Sequence, residues 1–487
     1  MRQVFLPMSY IWSKRYVYPG DELTRSLRNE LFTAPYTAIS FASHRNSIHA
    51  NDNYHPKSTL LNVINLFLVT IWIPFLRPFF SLSPFNLVKR AEAWTWRLIE
   101  LEDENSDFAD LGPVNNPMNT LAAFIHSGPQ SQAFLRHVPR LQDFLWMKNE
   151  GMLMNGTNGV QTWDTALAVS AIVESAPEIA RQERWRPMLL KAHQFLDQQQ
   201  IRNDCIDRKA SYRQARNGAW AFSNKTQGYT VSDCTSEGLM AVIRLQHLKS
   251  ASDTQVFSEL VGFRRQRDAI DILLSMPNTN GGFSSYESRR GSAYIMEQLN
   301  AAEVFGRIMV EYDYPECTTA VVTALHLFRT HDPDYRRQEI DHTINRAMDY
   351  IRRAQRADGS WYGSWGICFS YAAFFALTAL STVAGETYKN SSRVRRGCEF
   401  FLEKQGRDGG WGESYRACEI GEWVDHPNGS QVVMTAWVCI ALMQAGFPVE
   451  AGGKGVVGRG IKLIAERQQK NGEWLQEGIE GVFNKSW

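Results

Sequence analysis

The sequence predicts an all-α protein whose main body is an α/α barrel, a toroid of paired helices, with a second, partial α/α barrel domain at the N-terminus. Three observations predict it. A unit of helix, Gln, three residues, Gly, any residue and Trp recurs at about fifty residues, a period that signals closed or stacked helical arrays. Strongly apolar helical stretches lie between the copies. The chain is also long, at 487 residues, more than one small core needs.

The expected boundary lies near residue 150. Residues 1–150 read as the partial N-terminal barrel domain, and residues 151–487 as the C-terminal barrel domain. Asp21 to Leu31 has helical apolar spacing, with Pro7, Pro19 and Pro35 around it. Thr59 to Leu76 carries no charge and approaches the length of a bilayer span. Asn62, Asn65 and Pro74 interrupt it, so a buried helix is expected first, attachment to a membrane surface second and a spanning helix last. Leu101 to Gly112 is acidic and reads as a solvated connection. Another helix begins at Met118.

The repeat is clearest in three copies: Gln355 with Gly359 and Trp361, Gln405 with Gly409 and Trp411, and Gln468 with Gly472 and Trp474. Gln214, Gly218 and Trp220 fit the same frame, and Pro277, Gly281 and Phe283 form a degenerate copy. Glycine ends each helix, the aromatic packs back, and the Gln amide can cap neighbouring backbone groups. These residues read as structural braces. The inner ring is expected from the apolar helices Thr165–Val173, Thr235–Leu245, Thr318–Leu327, Ile367–Thr382 and Val432–Gln444, each paired with an amphipathic outer helix.

Three inner helices start alike, at Trp163-Asp164-Thr165, Asp233-Cys234-Thr235 and Glu316-Cys317-Thr318. In a ring such starts converge on one end of the cavity. Each acid can also be an ordinary N-cap, because Asp accepts hydrogen bonds from the free N–H groups of a first turn.

Composition narrows the function. The net charge is +1, with 52 basic and 51 acidic residues, which argues against nucleic acid as the main partner. Aromatic residues make up 12% and include 15 Trp, enough to line a surface for stacking or cation–π contact. Seven cysteines are scattered and odd in number, without a CxxC pair. They read as reduced thiols, neither a disulfide framework nor a thiolate metal site. The N-terminus lacks the features of a secretory signal.

The Gln/Gly/Trp units resemble the QW motifs of the terpene cyclase/mutase family, and Asp233-Cys234-Thr235-Ser236-Glu237 resembles the DCT[A/S]E motif of its oxidosqualene cyclases. The resemblance extends to Arg2–Tyr10, Met154–Thr165, Gly281–Glu287, Glu316-Cys317-Thr318, Asp358–Phe369 and Glu480–Ser486, in family order along the whole chain. It implies conversion of (3S)-2,3-oxidosqualene to a tetracyclic sterol precursor such as lanosterol, by epoxide protonation and cationic cyclisation. It implies Asp233 as proton donor, Cys234 and Cys317 as its hydrogen-bond partners, and Trp163, Phe222, Tyr286, Phe305 and Trp365 as cavity lining. It further implies two α/α barrels, no metal or organic cofactor, no obligate protein partner, and monotopic attachment to the cytosolic face of the endoplasmic reticulum membrane or to lipid droplets.

Elementary chemistry suits those roles. Burial raises a carboxyl pKa while a helix N-terminus lowers it, so acid strength can be set between the two. Thiols donate weakly and leave the proton available. Aromatic faces stabilise a cation by about 0.5–2 kcal/mol each without reacting with it.

Three alternatives differ in kind. A protein prenyltransferase β-like subunit would need zinc, and no His follows Asp233-Cys234 at a convincing inner-helix position. A helical toroid could serve binding alone. A truncated, inactive cyclase is the third. The resemblance begins at Arg2, inside a motif that in the family reads Trp-Cys-His-Cys-Arg, and runs to Ser486, before a segment that in the family closes the barrel. It therefore implies that residues 1–487 lack part of each barrel and have little activity alone.

Overall fold

The computed structural model describes residues 2–82, 84–148, 151–250, 252–449 and 454–482. The N-terminal part is helical: α1 (Arg2–Lys14), α2 (Glu22–Leu31), α3 (Thr59–Ser81), α4 (Leu87–Asn105), α5 (Asn115–Ser127) and α6 (Gln132–Arg140). Asp21 caps α2 through the N–H of Thr24 at 2.7 Å. Helices α1, α4 and α5 pack around Tyr10, Ile99 and Ala122.

Two expectations for this part are corrected. The uncharged run does form a helix, with a π-helical stretch at Leu68–Leu76. It is not buried, however. Its apolar side chains face outward, Leu66 being 64% and Phe75 69% exposed. The acidic segment Leu101–Gly112 is not solvated: Glu102, Asp103, Asn105 and Asp110 are buried. These polar groups can be buried because they find partners, and burial pushes the Asp103 and Asp110 carboxyls well up toward their neutral forms. Glu102 takes Arg213 at 2.7 Å, Gln3 at 2.7 Å and the Tyr229 hydroxyl at 2.5 Å. This buried network ties the N-terminal helices to the toroid.

A hairpin of β1 (Leu145–Lys148) and β2 (Gly151–Met154) leads into the toroid. Its helices are α7 (Gln161–Ser175), α8 (Arg186–Gln199), α9 (Ser232–Gln246), α10 (Phe263–Leu274), α11 (Pro315–His331), α12 (Arg337–Ala354), α13 (Cys368–Thr382), α14 (Ser392–Lys404), α15 (Val432–Gln444) and α16 (Val456–Arg467). Among the described residues, α7, α9, α11, α13 and α15 pack consecutively as an inner array, each against its following outer helix. Inner helix α9 is buried almost all round: in the run Leu239–Leu245 Arg244 is the one partly exposed member. Outer helix α12 buries one stripe, Ile340, Ile344, Ala347 and Ile351. This is the all-α toroid that the apolar and amphipathic patterns predict.

The repeat residues do what braces must. Trp220, Trp361 and Trp411 are fully buried, and each indole N–H donates to a carbonyl of the preceding outer helix at 2.8 Å. Gly218, Gly281, Gly359, Gly409 and Gly472 all adopt φ between 90° and 97°, a left-handed turn that a side chain resists. The Gln405 amide donates to Gly409 O at 2.7 Å and to Val456 O, in the first turn of the next outer helix, at 2.9 Å. Gln355 bridges Gly359 and Arg393 in the same way. In the first copy the bracing amide is Gln200, which reaches Gly218 O and Arg265 O at 2.9 Å each. Gln214, expected from its spacing, instead donates to Ser288 at 3.2 Å. A long insertion separates Gln200 from its glycine.

A second latch joins three of the repeats to the next inner helix. The backbone N–H of Trp220, Phe283 and Trp411 donates to the hydroxyl of Thr235, Thr318 and Thr435, at 3.1, 2.9 and 3.0 Å. The cysteines expectation is also corrected at one place: Cys368 and Cys418 form a disulfide, with Cα atoms 5.7 Å apart. Finally β3 (Trp365–Gly366) pairs antiparallel with β4 (Gly481–Val482). Phe483 to Ser486 of the C-terminal motif lie outside the described residues.

Candidate active site

The Thr latches place the site. Because Thr235 and Thr318 are held to the repeat backbone, the residues just before them, Cys234 and Cys317, come to the same end of the inner array. Asp233 precedes Cys234 in the first turn of α9. It is not the N-cap. That position belongs to Val231, whose side chain makes no capping bond. Asp233 Oδ1 accepts the adjacent N–H of Cys234 at 2.8 Å, and Oδ2 lies 3.5 Å from Cys317 Sγ.

Burial pushes the Asp233 carboxyl above its ordinary pKa, while hydrogen bonds from Cys234 and Cys317 pull it back. The two thiols are themselves raised well above the ordinary cysteine range, first by burial and then by the nearby carboxylate. They therefore stay protonated as donors. Glu237, one turn further along α9, is raised by burial to about 7, and Glu316, beside Cys317, to about 8. Burial thus pushes all three carboxyls at the chamber end toward their neutral forms.

Aromatic rings surround this acid. Cys234, Tyr229 and Val231 form one apolar cluster with Trp163, Phe222, Tyr286 and Leu111. Trp163 and Phe222 stack at 6.0 Å and 27°. Tyr286 meets Tyr229 edge-on at 5.9 Å and Trp365 at 6.3 Å. Trp365 stands on a turn that three contacts define: β3 pairs Trp365 with Val482, the Ser364 N–H donates to Glu316 Oε1 at 2.5 Å, and the Trp365 indole N–H donates to Ser285 Oγ at 2.8 Å. Its backbone sits at φ +66°, an uncommon conformation for a bulky residue that surrounding contacts must hold. Phe305 lies half-buried in the loop between Asn300 and Tyr314, placed by its own carbonyl, which accepts the Asn300 amide at 2.6 Å.

The structure thus gathers Asp233, Cys234, Cys317, Trp163, Phe222, Tyr286 and Trp365 by direct contact. It adds groups that sequence reasoning passed over. Ser285 adjoins the singled-out Tyr286, which is the signal that could have found it, and Glu316, the acid of the third helix start, anchors the Trp365 turn. Tyr371 on α13 and Trp437 on α15 meet at 4.8 Å, both partly exposed on inner helices. A half-open aromatic on such a helix marks the chamber side.

Among the described residues one cluster has metal-ligand character, Asp103, Asp110 and His137, and it lies outside this site. The two ring nitrogens of His137 face different carboxylates, Asp103 at 3.2 Å and Asp110 at 3.7 Å.

Residues 160–485 match the family model described as the squalene–hopene cyclase C-terminal domain. Over 486 residues the chain is 58% identical to the lanosterol synthase erg7A of Aspergillus fumigatus, covering 100% of this chain and 62% of that protein. It is 42% identical to the lanosterol synthase ERG7 of Saccharomyces cerevisiae over 492 residues, and 40% identical to the lanosterol synthase of Mus musculus over 492 residues. In both cases it covers 100% of this chain and 64% of the relative. The chain therefore spans less than two thirds of the length of these relatives. With a family model matched across most of the chain and this degree of identity from end to end, the chain belongs to the family of squalene–hopene and oxidosqualene cyclases.

Proposed function

We propose that this chain carries the catalytic chamber of an oxidosqualene cyclase of the lanosterol synthase type, an intramolecular transferase. Asp233 protonates the epoxide of (3S)-2,3-oxidosqualene, and the resulting cation closes through successive rings to a tetracyclic sterol precursor such as lanosterol. The observation that carries this reading is the Asp233 carboxyl, driven toward its neutral form by burial and contacted by two neutral thiols, at the edge of an aromatic cluster.

Each residue has a role that its chemistry supports. The neutral carboxyl supplies the proton, and the Cys234 N–H and Cys317 thiol receive the carboxylate left behind. Trp163, Phe222, Tyr286, Phe305 and Trp365 offer π faces to the migrating positive charge and hold no nucleophile strong enough to trap it. A packed wall keeps water from ending the cascade early. The deciding experiment is conversion of labelled oxidosqualene by this chain joined to the flanks that its longer relatives carry, with Asp233 intact or as Asp233→Asn, and with product identification. Cyclic product from the wild type alone supports the assignment, and equal turnover by both ends it.

The same reading extends to location. A fully apolar substrate arrives from a bilayer, and α3 presents Leu60, Val63, Leu66, Phe75 and Phe79 to the surroundings as one uncharged surface. We propose monotopic attachment through this helix to the cytosolic face of the endoplasmic reticulum membrane, or to lipid droplets.

A further inference from the structure

Ser285 is buried, at 3% exposed, and its hydroxyl touches two groups of the proposed site at once. The Trp365 indole N–H reaches Ser285 Oγ at 2.8 Å. Cys317 Sγ lies 3.2 Å from the same oxygen and 3.5 Å from Asp233 Oδ2. Four side chains are therefore joined in the order Trp365, Ser285, Cys317, Asp233.

The order has a direction. An indole nitrogen donates and never accepts, so Ser285 must act as acceptor toward Trp365. Its own hydrogen is then available for Cys317 Sγ. A thiol that accepts from Ser285 has its single hydrogen left for Asp233 Oδ2. Every donor in the chain points toward the carboxyl, and successive bonds of one sense polarise each other. The backbone of Ser285 is placed independently, since its carbonyl accepts the Ser232 N–H at 2.8 Å and Ser284 O accepts the Ser232 hydroxyl at 2.7 Å. The segment does not need the Ser285 hydroxyl to stay where it is.

Resting on the assignment of Asp233 as the acid, we infer that Ser285 is a positioning residue: its hydroxyl aims the Cys317 thiol hydrogen at Asp233 and at the same time pins the Trp365 ring. One hydroxyl thereby sets the proton donor and one panel of the cation-facing wall together. Removing it acts at both ends of the reaction. The carboxylate left after proton transfer loses a polarised donor, and the indole loses the bond that fixes its tilt.

The test uses the full chain with Ser285→Ala and Ser285→Thr. The thiol S–H stretch falls in a spectral window with few other protein bands, and Cys317→Ala identifies the Cys317 component. The expected result is a shift of that band to higher frequency in Ser285→Ala and its return in Ser285→Thr. With oxidosqualene, Ser285→Ala is expected to cyclise at least tenfold more slowly and to give a broader product spectrum, both restored by Ser285→Thr. An unmoved Cys317 band in a folded Ser285→Ala protein overturns the inference. So does a folded Ser285→Thr protein that restores neither band nor product spectrum. Should Ser285→Ala fail to fold, Trp365→Phe removes the same chain's first donor, and an unmoved band there overturns it equally. The band requires no turnover, so it decides the role of Ser285 even where residues 1–487 alone leave oxidosqualene unchanged, whereas loss of the acid assignment is read separately from turnover by Asp233→Asn.

Discussion

Cys317 Sγ stands 3.5 Å from Asp233 Oδ2, the oxygen that the Cys234 N–H leaves free. The two carboxyl oxygens therefore have different duties: one is tied to the helix backbone, and the other meets a neutral thiol on the neighbouring inner helix.

Asp233→Asn tests the division. The amide oxygen can still accept the Cys234 N–H, and Val231, not Asp233, is the N-cap, so the fold should be retained with a melting temperature within a few degrees of wild type. Cyclisation should fall by at least ~10²-fold, the lower end of what a general acid contributes. A substantial loss of helix in the variant, read by circular dichroism, would return Asp233 to a structural role.

The pH dependence follows from the direction of the shift. Asp233 is active when protonated and its pKa is raised by burial, so turnover should be high at low pH and decline as pH rises through the folded-state value. Cys317→Ala removes a bond that lowers this pKa. It should move the alkaline limb to higher pH while reducing the maximal rate, because the acid is then weaker. A limb that stays in place would show that Cys317 contributes packing only.

Glu316 gives a stability prediction of definite sign. Burial raises its folded-state pKa to about 8, above the ordinary 4.5. The neutral form is the one the fold favours. Its stabilising effect is complete below the unfolded value and is lost as pH rises through about 8. Melting temperature should fall between about pH 5 and pH 8.5, and Glu316→Gln, which cannot ionise, should lessen the fall. A slope equal to wild type would mean that Glu316 ionises freely.

Substitution at Trp365 should separate ring from hydrogen bond. Trp365→Ala should broaden the product spectrum or release partly cyclised products, because the cation loses a π face of about 0.5–2 kcal/mol. Trp365→Phe should lie between, keeping a face and losing the indole donor. If both give the wild-type product and differ only in melting temperature, the ring packs and does not steer.

The exposed face of α3 predicts the mode of extraction. Membranes carrying the protein should retain it in high salt and release it to detergent. Val63→Asp with Leu66→Asp should weaken retention by placing charge on the outward face. Release of the wild-type chain by salt alone would leave this face without that role.

What the sequence made legible follows from which forces are local. The limits of α15, Val432–Gln444, could be read directly, because polar Ser430-Gln431 precedes its apolar run and Gly446 follows it. The bracing glutamine of the first copy could not, because Gln200 and Gly218 are brought together across an insertion and Gln214 offers the better spacing. Thr59–Leu76 was expected inside because hydropathy reports apolar character and not what covers it. Leu101–Gly112 was expected outside because its charges find partners more than a hundred residues away, as Glu102 finds Arg213. Asp233 and Cys317 were legible as a pair through their shared Cys-Thr context. Ser285 was not, since a serine shows its importance only through the two side chains that reach it.

The left-handed backbone of Trp365, at φ +66°, sets a rule for anyone reshaping the chamber. Replacing it changes two quantities that need not move together, the surface shown to the reacting carbons and the ease with which the turn is adopted. Glycine and asparagine relax that turn, whereas valine and isoleucine strain it further. A library at this position should therefore rank its members differently by heat resistance than by product. Small, permissive residues would survive selection for folding even where they steer badly, and a wall that folds easily would be a poor guide to a wall that works.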